Sequence, residues 1–453
     1  MKNVDFVIFY EGFNREYQNI YLLKKELEHR GHTVRFSHFS MKDYYDTMRH
    51  YAPQIVVCPW LRYSENVFRY TSFRKPIKHL VNLQWEQIFS KIGIREGADA
   101  TVGEAIKYPH LCWGQNSKKR LMDAGVSEEN LPVCGGIHLD FCRPAFCESL
   151  FSKDDLAREF GFDPDKRLSL YISSFDFASY TPEDQATFLK RYGNGFAPMF
   201  ACSAKSKAET LKWLGAACEQ NPDTVFVYRP HPAEKITEDL MRMEKDFSNF
   251  RVLSKYNIKQ WIYAADCIQM WFSTSIAEIY FMGKTCHILR PFPLSEDQEV
   301  EILEGGTFVT DKEDFLRRMR AGTEGQDFPV PEERMRHYYS IEDACAYERI
   351  ADYLEDLLRN GEPCPQPQFT DEEKKDFRKK KRKWMRAAYF YRLCERTGIR
   401  FSQFLLFGRE SFRGIERQIQ LFSGYDYAGV ERSVDRIYER LHAKESEKSS
   451  TNG

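Results

Sequence analysis

The stretch "VFVYRPHPAE", Val225 to Glu234, decides how the chain is read. Val225-Phe226-Val227-Tyr228 are β-branched and aromatic, the composition of a buried strand. Pro230 and Pro232 then end the ladder, because proline has no N–H to donate and its ring fixes φ. Arg229 and His231 are thereby held in a stiff turn at the carboxyl end of the strand. Open α/β sheets bind ligands outside that end. An Arg/His pair there suits an anion, phosphate foremost. The plainer alternative is a turn whose histidine only hydrogen-bonds backbone.

Outward from this strand the pattern repeats. "LSLYISSFDF" (168–177) reads as a strand running into a Ser-Ser turn, followed by a helix from about Lys205 to Gln220. After the Val225 strand come "FRVLSKY" (250–256), the helix "IKQWIYAA", the strand and turn "CIQMWFSTS" (267–275), and the strand "KTCHILR" (284–290). A comparable alternation occupies the first part of the chain: "VDFVIFY" (4–10), the helical "REYQNIYLLKKELEHRGH", then "TVRFSHFS", "QIVVCPW" (54–60) and "HLVNLQWEQ" (79–87). Strands alternating with helices argue for parallel sheets with crossover helices. The expected fold is α/β, two Rossmann-like domains facing across a cleft. The limits read as residues 1–150 and 151–360, joined through the polar stretch 147–167, with a basic, aromatic helical tail over 361–453. The last ten or so residues are expected to be disordered.

Bulk properties bound the function. With 453 residues, two domains and an appendage is the natural organisation. A net charge of -1 argues against a general nucleic-acid binder, and no nucleic-acid partner is expected. "MKNVDFVIFYEGF" holds no apolar run of signal-peptide length, and no window approaches the ~20 apolar residues of a membrane span. The twelve cysteines follow no regular framework, which suits thiols in a reducing cytoplasm. No pairs of Cys or His share metal-ligand spacing, so no metal and no bound cofactor are expected. Glu11-Gly12 lacks the GxGxxG dinucleotide fingerprint.

A second strand end, "MWFSTSIAEIYFMGK", adds Ser273, Thr274 and Ser275, with Glu278 placed for a capping box on Ser275. Hydroxyls beside helix amides can seat a phosphate. An ordinary serine cap is the alternative. Ser173 and Ser174 form a third polar strand end, and three such turns at one sheet edge are harder to dismiss than any one.

The order of "LYISSFDF", "VYRPHPAE" and "RVLSKYNIKQWIYAADCIQMWFSTSIAEIYFMGKTC" resembles the nucleotide-binding half of GT-B glycosyltransferases. More narrowly it is similar to their bacterial surface-polysaccharide branch: CDP-glycerol glycerophosphotransferases, capsular Kdo transferases, and bacterial sialyl- and polysialyltransferases. "HLCWGQNSKKRLMDAGVSEENLPVCGGIHLDF" in the first domain resembles the same proteins. The likeness runs from about residue 50 to 355. It implies that His231, with Arg229, and Ser273, Thr274 and Ser275 hold the donor phosphate. It further implies that Glu278 contacts the ribose, that the donor is CMP- or CDP-linked, and that no metal is needed.

One departure stands out. Where the glycerophosphotransferases carry a histidine-glycine pair as base, this chain reads "NLQWEQIF" (82–89), with Glu86 in that place. Glu86 could deprotonate an acceptor hydroxyl; its alternative is a solvated glutamate. Glu11, in the turn after the first strand, is the rival base. His79 and His138 read as structural. The change favours sugar transfer over glycerol- or polyol-phosphate transfer.

Eight of the ten residues from Lys374 to Lys383 are Lys or Arg, followed by Trp384, Met385, Tyr389, Phe390 and Tyr391. Residues 374–391 suit an anionic membrane surface. A nucleic-acid surface and a solvated helix packed on the protein are the alternatives. The expected function is a metal-independent, inverting glycosyltransferase, cytoplasmic and peripheral on the inner face of the plasma membrane, moving a sugar from a nucleotide donor to a surface polysaccharide or lipid-linked acceptor. The competing class is a non-catalytic nucleotide-binding scaffold.

Overall fold

The computed structural model describes residues 1–39, 41–97, 100–322, 325–400, 402 and 409–451. Each half of the alternation builds its own parallel sheet. In the first, β1 (Lys2–Tyr10), β2 (Val34–His38), β3 (Tyr51–Cys58) and β4 (His79–Asn82) lie in the order β2-β1-β3-β4. In the second, β5 (Arg167–Ile172), β6 (Thr224–Arg229), β7 (Phe250–Val252), β8 (Cys267–Met270), β9 (His287–Leu289) and β10 (Phe308–Val309) lie in the order β10-β9-β8-β5-β6-β7. All of their pairings are parallel. The strands are apolar on both faces because crossover helices cover both.

The two compact units are not contiguous in sequence. One comprises Met1–Gln87, Ala100–Asp140 and Tyr339–Gly453; the other comprises Ile88–Asp99 and Phe141–Tyr338. The limits drawn at 150 and 360 therefore differ from the structure, and the helix Ala346–Asn360 and the tail group with the first sheet. Periodicity along a chain marks elements, while unit membership depends on contacts distant in sequence.

Local chemistry explains most boundaries. The helix Gln18–His29 is preceded by a wider helical turn at Phe13–Tyr17 and stops before Gly31, whose φ of +90° a side chain disfavours. The helix expected from Lys205 begins earlier, at Ala197, with Pro198 in its first turn, and ends at Gln220. The polar stretch 147–167 contains the helix Lys153–Phe160, opened by a Ser152–Asp155 capping box.

Beyond the Pro-rich linker, helices run Asp371–Thr397, Arg409–Ser423 and Tyr427–Thr451. The last is helical through Ser449-Ser450-Thr451, where disorder was expected. Most of "FSQFLLFG" (401–408) lies outside the described residues. Cys364 and Phe369 pack against the first unit's core of Val7, Phe9, Val56, Tyr70 and Leu80. The tail thus belongs to the fold of the first unit.

Candidate functional site

In the second unit, β5, β6 and β8 are neighbours, and Ile172 pairs in register with both Arg229 and Met270. Their carboxyl ends are level, so the Ser173-Ser174, Arg229–Pro232 and Phe272–Ser275 turns share one edge. Chain order reverses between β5 and β8, and that switch point is where open α/β sheets bind ligands.

The turns are joined by hydrogen bonds. Ser174 Oγ accepts from the Phe272 amide at 3.1 Å, tying the β5 turn to the β8 turn. Ser173 Oγ lies 2.7 Å from the Tyr228 hydroxyl and donates to Glu234 Oε2 at 2.5 Å. Tyr228 donates to Glu234 Oε1 at 2.8 Å, and the His231 amide donates to Oε2 at 3.2 Å. Lys207 Nζ sits 2.9 Å from Glu234 Oε1, an ion pair too poorly aligned to count as a hydrogen bond. Glu234 is buried and fixes the turn that carries His231.

His231 is exposed, and its Nδ1 accepts from the Ala233 amide at 3.2 Å. The neutral ring therefore carries its proton on Nε2, which leaves an N–H donor at the sheet edge. Asp176, in the turn after Ser174, has its pKa raised by burial.

Arg229 is placed differently. Its guanidinium donates to the carbonyls of Leu253, Lys255 and Tyr256, and burial pushes it down to about 10. It clamps the loop after β7. Ser275 does not form the expected capping box: its backbone is helical and its side chain caps nothing, whereas its amide donates to Ser273 Oγ at 3.2 Å. A cap must hold extended dihedrals for its side chain to reach back. Thr274 is exposed, and Glu278 is half-buried, its pKa raised by burial against the charge of Lys259.

Sequence reading missed Asp176, Glu234 and Lys207. The two acids stand inside stretches singled out for other residues. Lys207, on the helix Ala197–Gln220, had no local signal, since its partner is fixed only by packing. The expectation of metal independence also passed over an Asp-x-Asp triplet, Asp163-Pro164-Asp165. It precedes β5, at the amino end of the strand, and Asp163 Oδ1 accepts from the Asp165 amide at 3.0 Å.

In the first unit, chain order reverses between β1 and β3, and Glu11 follows β1 there. Trp60, after β3, donates from Nε1 to Glu11 Oε2 at 3.0 Å. Glu86 follows β4, exposed, 4.0 Å from Arg62 Nη2. Its loop is unusually fixed. Gln84 holds a left-handed φ of +50°, a conformation a branched or long side chain adopts only when its surroundings impose it. The buried Asn82 side chain imposes it here, donating to Gln84 Oε1 at 2.5 Å and accepting from the Gln84 amide at 3.1 Å. Asn82 also lies 2.8 Å from His110 Nδ1, and Gln87 donates to the Gln84 and Leu111 carbonyls. His79 is buried, and His138 lies against Trp113 with ring centroids 4.5 Å apart.

No family model and no curated protein matches the sequence. Solved structures do match. The chain aligns with the S. aureus MnaA–UDP co-structure at a TM-score of 0.51 and 13% identity, over 82% of this chain and 100% of that one. The UDP-GlcNAc 2-epimerase of Neisseria meningitidis bound to UDP-GlcNAc aligns at 0.48 and 11%, over 79% and 100%. The wall teichoic acid polymerase TagF aligns at 0.47 and 10%, over 78% and 89%. The fold is of the GT-B kind, with two parallel α/β sheets and added C-terminal helices.

Proposed function

We propose that the chain is a glycosyltransferase that uses a nucleotide sugar, CMP- or CDP-linked by first preference. The observation that carries this reading is the His231 turn. A buried carboxylate fixes it at the carboxyl edge of the sheet, one strand from the β5–β8 switch point, with an Nε2–H donor on the same edge as the Ser273–Ser275 turn. Donors set in advance where negative charge develops stabilise a departing phosphate. In this mechanism His231 and the Ser273–Ser275 turn hold the donor phosphate, and Arg229 supports the neighbouring loop.

Glu11 or Glu86 takes the proton from the acceptor hydroxyl, which gives inversion by a single displacement. The acceptor is a surface polysaccharide or a lipid-linked saccharide. Binding needs no metal. A cytoplasmic enzyme held peripherally on an anionic membrane would meet such acceptors.

The likeness to a UDP-bound structure favours a second reading, a UDP-sugar enzyme such as an epimerase. Incubation with CMP-, CDP- and UDP-sugars, resolved by mass spectrometry, separates the two. Transfer to an added saccharide that is lost in Glu11→Gln or Glu86→Gln supports the proposal. Sugar isomerisation without transfer overturns it, and nucleotide binding with neither reaction identifies a scaffold.

A further inference from the structure

We propose that one face of the helix Asp371–Thr397 docks the protein on an anionic lipid bilayer. This rests on the peripheral-attachment part of the proposed function and assigns it to particular side chains. It does not depend on the donor site.

The helix has two faces. Phe377, Ala388 and Tyr391 are buried. Phe377 meets Phe68 at 5.3 Å, the Arg69 guanidinium lies 4.7 Å over the Trp384 ring, Lys380 pairs with Glu65 at 2.6 Å, and Arg392 pairs with Asp46. This side is fully used by the first unit.

At 100° per residue, Lys375, Arg378, Lys379, Arg382, Lys383 and Arg386 fall on the opposite arc. All six are exposed, and none has an ion pair among the described residues. They form a file about 17 Å long at 1.5 Å rise per residue. The sole carboxylate of that stretch, Asp376, stands at the flank, 3.0 Å from Lys380. Tyr389 sits on the same arc, 63% exposed, and Met385, 52% exposed, stands at its other flank beside Arg378.

Charge complementarity selects a polyanion, and the two apolar side chains select lipid. A methionine and a tyrosine among cations can enter the headgroup region, where an amphipathic ring is favoured, and Met385 gains nothing against a phosphate backbone. The chain as a whole carries a charge of -1, so the attraction is local and orients the protein by this helix.

The test is co-sedimentation of the full chain with phosphatidylcholine vesicles, with and without about 30 mol % phosphatidylglycerol, at low salt and at about 0.5 M. The wild type should pellet with the anionic vesicles alone, and high salt should release it. Lys379→Glu/Arg382→Glu/Arg386→Glu should lose at least about tenfold in partitioning, the sense expected when cations facing anionic lipid are reversed. Among the described residues these side chains make no ion pair, and the melting temperature checks the variant's fold.

Equal binding to neutral vesicles, insensitivity to salt in the wild type, or an unchanged triple variant would each overturn the proposal. So would no vesicle binding together with salt-sensitive binding of duplex DNA. Nucleotide-induced thermal shifts on the triple variant report separately on the donor site.

Discussion

Glu234 is the buried carboxylate that ties the β5 and β6 turns together at the second sheet's edge. Four groups converge on its carboxylate: Ser173, Tyr228, Lys207 and the His231 amide. Removing one partner of a buried ion pair leaves the other charge uncompensated, at a cost of about 3–5 kcal/mol. Glu234→Ala should therefore destabilise by that amount in urea unfolding, whereas Lys207→Met/Glu234→Leu should lose much less. Equal losses would show that packing, not charge, holds the turn.

Two buried histidines predict the acid response. Burial pushes His110 and His287 down to about 4 from 6.5. Each is neutral in the fold, so the stability it contributes is complete above pH 6.5 and drains away as pH falls toward 4. The slope is about 1.4 kcal/mol per pH unit for each group. Unfolding free energies measured from pH 7 to pH 4.5 should show this slope, and His287→Gln should flatten it for the second unit. A slope unchanged by the variant would remove His287 from the account.

At the scale of elements, the legible ones are those whose composition settles the matter alone. β5, β6 and β8 are short apolar runs ended by Ser-Ser, Pro-x-Pro and Ser-Thr-Ser, so both their class and the polar turns that end them could be read. β10, two residues long, offers no run to read. A guanidinium at a strand end reaches either ligand or loop, and the path of the loop after β7 turns that of Arg229 to the loop.

The Ser275–Glu278 spacing matched a capping box, yet the tight turn through Ser273 set the backbone first. The tail's basic run hid a division by face: Lys380, Lys381 and Arg392 are used by the first unit, and the six cations of the opposite arc make no ion pair among the described residues. A truncation after residue 370 would uncover Phe68 and Phe369, on which Phe377 packs, and Tyr17 with the helix Gln18–His29 after it, to which Glu431, Asp435 and Tyr438 are hydrogen-bonded. Each aromatic so exposed forfeits about 1.5–3 kcal/mol. The truncated chain should bind a hydrophobic dye and aggregate; a soluble, cooperatively melting product would show that the first unit folds without the tail.

At the scale of the molecule, alternation along the sequence predicted two α/β units, and both sheets have the strand order that creates a switch point. Glu11 and Trp60 occupy the first, and the Ser174–Phe272 bridge occupies the second. Unit membership was illegible because residues 339–453 return to the first sheet through contacts far apart in sequence. Among the described residues no helix is long and apolar enough to cross a membrane, and the lipid contact proposed for the tail's cationic face requires none.

The central claim is that the His231 turn clamps a donor phosphate. It is tested most directly by thermal-shift titration of wild type and His231→Ala with CMP, CDP, UDP, GDP and ADP, with EDTA present. At 100 times its dissociation constant a nucleotide adds about 2.7 kcal/mol of stability. Because His231 is exposed, its removal should leave the unliganded melting point unchanged. The melting point should rise with one nucleotide class, and the rise should be lost in His231→Ala and retained in EDTA. An equal shift in the variant, or none with any nucleotide, would contradict it.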